Sequence, residues 1–126
     1  MKTTITRSLL GNLFLISIVL LLGGATACRD ERDHRIESFR KKYAGTIRTD
    51  LHGADIASSV QQMDKLMAEW NPVGYRRAHI ETLLGKPTEA TRDAIVYRFD
   101  SGLGGWQWRF DLEKDVVTRV EKSAID

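Results

Sequence analysis

Hydrophobic and polar positions follow different periods along the chain, and each change of period marks an element. Residues 9–22 form a nearly unbroken apolar run whose only polar residues are Asn12 and Ser17, with Lys2 and Arg7 ahead and small residues at 23–27 behind. A basic start, an apolar centre and a small-residue exit are the three parts of an export signal. Residues 29–42 are dense in charge, with only Ile36 and Phe39 as large apolar residues and Tyr43 next. Their spacing at i, i+3 and i+7 fits a narrow helical stripe. Asp30, Glu31 and Asp33 come early and Arg40, Lys41 and Lys42 late, the order a helix dipole favours, and Gly45 lies beyond. The segment reads either as a short amphipathic helix along headgroups or a partner, or as a charged, solvated tether.

From 55 to 70 the period is helical. Ile56, Val60, Met63, Met67 and Trp70 recur on one face, Asp55 stands where a capping residue belongs, and Asn71-Pro72 stops the helix. At that spacing Met63, Met67 and Trp70 are core residues rather than a ligand-gripping stripe. A second helix is expected from about 74–76 to Leu84, with Ile80, Leu83 and Leu84 inward, Gly85 as a left-handed cap and Pro87 past it.

After 88–93 the period becomes two. Ile95, Tyr97 and Phe99 alternate with Val96 and Arg98; Trp106, Trp108, Phe110 and Leu112 alternate with Gln107, Arg109 and Asp111. For the two apolar faces to coincide, Phe99 must oppose Trp106 and Tyr97 must oppose Trp108. That register leaves Gly102-Leu103 as a two-residue turn with Gly first, as a type II′ turn requires. A phosphate-cradling loop would lead into a helix, whereas this glycine-rich loop leads into a strand. A third strand is expected over 116–122 after the charged turn Glu113-Lys114-Asp115, with Val116, Thr118 and Val120 on one face. The fold class is α+β: two helices packed on one face of a three-stranded antiparallel β-meander, occupying residues 54–126.

Composition then narrows the function. The chain has 126 residues, one Cys and two Pro, enough for one small domain. Ala25-Thr26-Ala27-Cys28 fits ordinary signal cleavage, and it also fits the bacterial lipoprotein pattern of a small residue before Cys, although Ala25 stands where such signals usually place Leu. Both readings cut before Cys28. An exported protein seldom keeps one unpaired thiol at its new N-terminus, so a lipid thioether on Cys28, with palmitate-type acylation, is the economical reading. An uncleaved anchor over 9–27 is the alternative, with Gly11, Gly23 and Gly24 against it. The organisation expected is a signal peptide at 1–27, a lipidated Cys28 with a tether or amphipathic helix at 28–53, and the α+β domain at 54–126. The basic start holds the N-terminus in the cytoplasm and delivers the rest outside, where ATP and NAD(P) are not normally present.

Taking Lys2 and Arg7 from the 19 Lys and Arg leaves 17, equal to the 17 Asp and Glu. A neutral mature chain does not suggest nucleic-acid binding. No serine-hydrolase elbow, His-Glu-x-x-His pair or Cys/His nucleophile site is present, and a single Cys removes a four-ligand zinc site. His79, alone near the start of the second helix, reads as an exposed polar residue. No catalytic residue, metal, cofactor or small-molecule substrate is therefore expected. On the sheet face opposite the aromatic residues stand Arg98, Gln107, Arg109, Arg119 and Glu121, with Val96 and Val117 among them. A polar outer face is the ordinary state of a half-buried sheet, while Arg98, Arg109 and Arg119 together would make a binding surface for an acidic partner.

Residues 73–87, Val-Gly-Tyr-Arg-Arg-Ala-His-Ile-Glu-Thr-Leu-Leu-Gly-Lys-Pro, resemble the signature of the SmpA/OmlA (BamE-like) family of small outer-membrane lipoproteins, through Gly74, Ile80, Leu84, Gly85 and Pro87. Tyr97 and Phe99, Phe110-Asp111, and Val116 and Val120 look like the family's successive strands. The likeness covers roughly residues 60–122 plus the leader. Tyr75 and Arg76 replace the family's Met and capping Thr, and its long first loop between strands is cut to a hairpin. The resemblance implies a noncatalytic, membrane-anchored protein-interaction module of the cell envelope, in the outer membrane facing the periplasm, supporting outer-membrane protein assembly or envelope integrity. Barrel-assembly components are then among the expected partners. The alternative is an exported inhibitor or immunity-type protein that binds an enzyme or toxin through its sheet.

Overall fold

The period-two segments build one antiparallel sheet of strand order β1-β2-β3-β4: β1 (Glu89–Ala90), β2 (Ala94–Asp100), β3 (Gly105–Glu113) and β4 (Val116–Ile125). The computed structural model describes residues 31–49 and 55–126, so the leader and Cys28 lie outside the described residues. Among the described residues three helices accompany the sheet: α1 (residues 31–42), α2 (Asp55–Glu69) and α3 (Arg77–Leu84). The class is α+β with an open antiparallel sheet, one helix and one strand more than the pattern suggested.

The register is the one the aromatic residues demand. Phe99 pairs with Trp106 and Tyr97 with Trp108. The Ser101 N–H donates to the Gly104 carbonyl at 2.9 Å across the turn, and Gly102 takes φ +88° while Leu103 keeps a negative φ. The second hairpin turns through Lys114 and Asp115, at φ 51° and 63°, the paired left-handed residues of a type I′ turn. β1 had no apolar alternation to reveal it. Glu89 and Ala90 are both exposed, and β1 is held by backbone bonds around it, with the Thr88 and Thr91 N–H groups donating to Val96 and Ala94 at 2.8 Å.

One register expectation fails. β3 and β4 slip at Asp111/Leu112, so that Asp111 pairs with Arg119 but Leu112 pairs with Val117. The bulge leaves Thr118 as the extra residue and turns the start of β4 over. Val117, expected outside, is 1 % exposed in the core, and Val116 and Thr118 do not share the buried face with Val120.

The core gathers Ile95, Tyr97 and Phe99 of β2, Trp108, Phe110 and Leu112 of β3, and Val117 of β4 against helical residues. On α2 the buried set is Ile56, Met63 and Leu66, with Trp70 buried just past its end and Val60 and Met67 at its margin. Leu66 thus joins the expected stripe. Ser59 is also buried, and its hydroxyl accepts the Arg48 N–H at 3.1 Å and donates to the Thr46 carbonyl at 3.3 Å, fastening the chain after α1 onto α2.

Residues 36–43 are part of this core rather than a solvated tether. Ile36 and Tyr43 are buried, and the Phe39 ring packs 5.6 Å from that of Trp70, which meets Tyr75 edge-on at 5.2 Å. The Lys42 ammonium donates to both Glu69 carboxylate oxygens at 2.8 and 3.1 Å, a bond that lowers the Glu69 pKa from its ordinary value. The compact unit runs Arg35–Asp126 and so begins well before the boundary drawn at residue 54.

α3 is anchored at both ends. Ile80 is fully buried, whereas Leu83 and Leu84 are only partly so. At its C-terminus Gly85 adopts φ 81°, ψ −160°, a positive-φ extended conformation instead of the expected left-handed one. The Tyr97 hydroxyl donates to the Gly85 carbonyl at 2.7 Å, and burial raises the phenol's pKa well above its usual value. A Cβ on Gly85 would meet nothing within 4 Å. The expected cost of Gly85→Ala is therefore backbone strain alone, roughly 1–3 kcal/mol, read as a lower midpoint in urea with unchanged slope.

Candidate functional site

Arg98, Arg109 and Arg119 come from three neighbouring strands. Arg109 pairs with Val96 on one side and Glu121 on the other, Arg98 faces Gln107, and Arg119 faces Asp111. Side chains two apart on a strand share a face, so all three project opposite Trp108 and Phe110, where the pattern placed them. The ladder brings together residues that are far apart in sequence.

What the pattern did not show is how the charges are spent. Arg98 Nη1 lies 2.9 Å from Glu89 Oε1, and its Nε donates to Gln107 Oε1 at 3.0 Å. Gln107 in turn donates from Nε2 to the Ser123 hydroxyl at 3.1 Å. Arg109 Nε donates to Asp111 Oδ1 at 2.8 Å, and Arg119 Nη2 to Glu121 Oε2 at 2.9 Å. The hydrogen bond and charge of Asp111, with a smaller contribution from Glu121, push the Arg109 guanidinium further up from its ordinary value. Each arginine thus has a carboxylate partner on the same face, and the expected cationic patch is a charge-balanced lattice. Opposite charges in fixed alternation discriminate among partners and set orientation more than they attract at long range.

A second exposed feature went unread. Leu103 is 100 % exposed at the tip of the β2–β3 hairpin and Trp106 is 41 % exposed at its base. With Ile56, Ala57 and Val60 of α2 they line an apolar groove. The signal was available, since an aliphatic residue in a two-residue turn is out of place where polar residues and glycine are the rule. The Lys122 ammonium stands 4.3 Å from the Trp106 ring centroid and donates to Asp64 Oδ1 at 2.9 Å.

His79 and Arg77 have structural work. The His79 Nδ1 accepts the Arg76 N–H at 3.1 Å, which supplies from the third helical position the cap that Arg76 itself has no acceptor to provide. Arg77 donates to the Thr91 and Arg92 carbonyls at 2.7 and 3.1 Å and to Asp115 Oδ1 at 3.2 Å, tying α3 to two sheet loops.

Among the described residues no group of three or more His, Cys, Asp or Glu is placed to hold a metal ion, and no helix is long and apolar enough to cross a membrane. No family model, curated protein or solved structure matches the chain. The SmpA/OmlA resemblance rests on the motif residues themselves.

Proposed function

We propose that this protein is a noncatalytic lipoprotein of the bacterial cell envelope, held in the outer membrane through lipid on Cys28, which presents its outer sheet face to an envelope protein partner. The observation that carries the reading is the asymmetry of the sheet. One face is buried in the core, and the other displays Arg98, Arg109 and Arg119 interleaved with Glu89, Asp111 and Glu121. The motif at 73–87 and the leader support a role like that of SmpA/OmlA lipoproteins, in outer-membrane protein assembly or envelope integrity, with barrel-assembly components as candidate partners.

The anchor is tested by mass spectrometry of the mature N-terminus. Cys28 is expected to carry a diacylglyceryl thioether, and Cys28→Ser is expected to shift the protein from the membrane to the soluble fraction. An unmodified Cys28 on a soluble protein would remove the anchor.

The exposed hairpin tip favours a different form of the inhibitor or immunity-type alternative, one that binds through the hairpin rather than through the sheet face. Leu103, fully exposed at the tip and continuous with the apolar groove beside Trp106, is placed to enter a cleft of an enzyme or toxin. Leu103→Asp separates the two: it abolishes recovery of such a partner and leaves a sheet-face partner bound.

A further inference from the structure

The two edges of the sheet are unequally protected. β1 is a two-residue strand, whereas β4 runs from Val116 to Ile125 and ends the sheet on the other side. Only the start of β4 is sealed: the Val117 N–H donates to the Tyr75 carbonyl and the Gly74 N–H to the Val117 carbonyl, both at 2.8 Å, beside an isolated bridge between Arg76 and Val116. From Thr118 onward no segment among the described residues pairs with its outer side. A long open edge is a template for another strand.

The side chains on that edge say which strand fits. Arg119 and Glu121 lie on the outer face, opposite Asp111 and Arg109, with side chains 66 % and 51 % exposed. Val120 between them lies on the other face, opposite Phe110. There it borders a groove of about 520 Å³ lined also by Met67, Trp70, Pro72 and Val73, of which Val73 is 48 % exposed.

We infer that the occupant is a second copy of the same chain, paired antiparallel through β4 about a two-fold axis at Val120. That register sets Arg119 against Glu121 of the second copy, Glu121 against its Arg119, and Val120 against its Val120. Sliding by one pair centres Glu121 on Glu121, and by two pairs Lys122 on Lys122, so each neighbouring register that keeps the faces matched puts like charges opposite one another, which is unfavourable. The ladder extends from Thr118 to Lys122. Beyond that, Ser123 of one copy meets Val117 of the other, which residues 74–75 already cover. The association is short and reversible, and it is isologous, as two-fold interfaces are.

Sedimentation velocity on the purified mature lipoprotein in detergent, its Cys28 blocked by lipid, tests this with a charge exchange. Wild type is expected to form a concentration-dependent dimer. Arg119→Glu and Glu121→Arg are each expected to sediment as folded monomers with a slightly lowered melting point, since the first faces Asp111 and the second Arg109 in the chain's own sheet, and an equimolar mixture of the two is expected to dimerise again. A wild type that stays monomeric at every concentration, or single variants that dimerise as wild type does, overturns the proposal. Singles that fail to associate when mixed overturn the register. If a charge variant does not fold, cysteine crosslinking decides. Val120→Cys at the axis is expected to oxidise to a covalent dimer, and Ser123→Cys, displaced from the axis, is not; equal crosslinking at both sites, or none at either, refutes the pairing.

Discussion

Phe110→Ala is expected to cost about 3–5 kcal/mol of folding stability, the largest effect of any single side-chain truncation considered. The ring is 0 % exposed on the inner strand β3, between Ile95 of β2 and Val120 of β4. It also meets Tyr97 edge-on at 5.9 Å. Cross-strand neighbours on both sides are fixed by the ladder, so the backbone cannot close over the vacated volume, and the cavity adds to the lost transfer energy. A small domain has roughly 5–15 kcal/mol in total, so the variant should be marginal at room temperature and molten on mild warming. Urea unfolding followed by tryptophan fluorescence measures it. Trp106→Ala is the control: at 41 % exposure it removes a larger ring at a smaller cost. Equal losses would mean that the buried and exposed ends of β3 are wrongly assigned.

Gly105→Ala ranks next, through the backbone. Gly105 closes the first hairpin opposite Asp100, and a Cβ there would fall against the Phe99 carbonyl oxygen and within 3.0 Å of the Asp100 Cα. Neither obstacle is the flexible end of a side chain. The strand must lift off its partner or slip, and the expected loss lies near the upper end of the roughly 1–3 kcal/mol typical of overpacking. Amide hydrogen exchange should show the loss spreading from Phe99 and Trp106 into β2 and β3, while Leu103→Ala, at a fully exposed turn position with negative φ, leaves those amides protected. Wild-type exchange in Gly105→Ala would contradict the close approach.

The hairpin register was legible because it had one solution: the three large apolar residues Ile95, Tyr97 and Phe99 before Gly102-Leu103 and the four after it, Trp106, Trp108, Phe110 and Leu112, must share a face, and a slip by one would turn one set to solvent. The bulge was not legible. Val116, Val117, Thr118 and Val120 allow either face to be buried, and nothing in their polarity says that Thr118 is the inserted residue. β1 escaped for a related reason, since exposed Glu89 and Ala90 are paired through backbone alone. The helix at 31–42 and the residue after it showed the stripe of Ile36, Phe39 and Tyr43, but a stripe does not say what it packs against, and the partner Trp70 comes from far along the chain. At the candidate site the opposite holds. Alternation alone placed Arg98, Arg109 and Arg119 on one face. Their carboxylate partners follow from strand pairing and from side chains two residues apart, Arg109 with Asp111 and Arg119 with Glu121, so the charge balance was readable once the register was accepted. Glu89 was not, because its strand was unseen.

That balance changes the proper probe of the outer face. Reversing all three arginines would gather six carboxylates there with Glu89, Asp111 and Glu121, and would confuse repulsion with loss of contact. Arg98→Gln, Arg109→Gln and Arg119→Gln together keep side-chain length and hydrogen-bonding capacity while removing charge. As exposed pairs these arginines contribute little to stability, so the triple variant should melt as wild type does. The deciding measurement is partner recovery from crosslinked membranes, wild type beside the triple Gln variant, across a salt series. An outer-face interaction module requires the folded variant to lose most of its partner, and wild-type recovery to fall as salt screens charges beyond about 8 Å at physiological ionic strength. Full recovery by the folded variant at every salt concentration would contradict it.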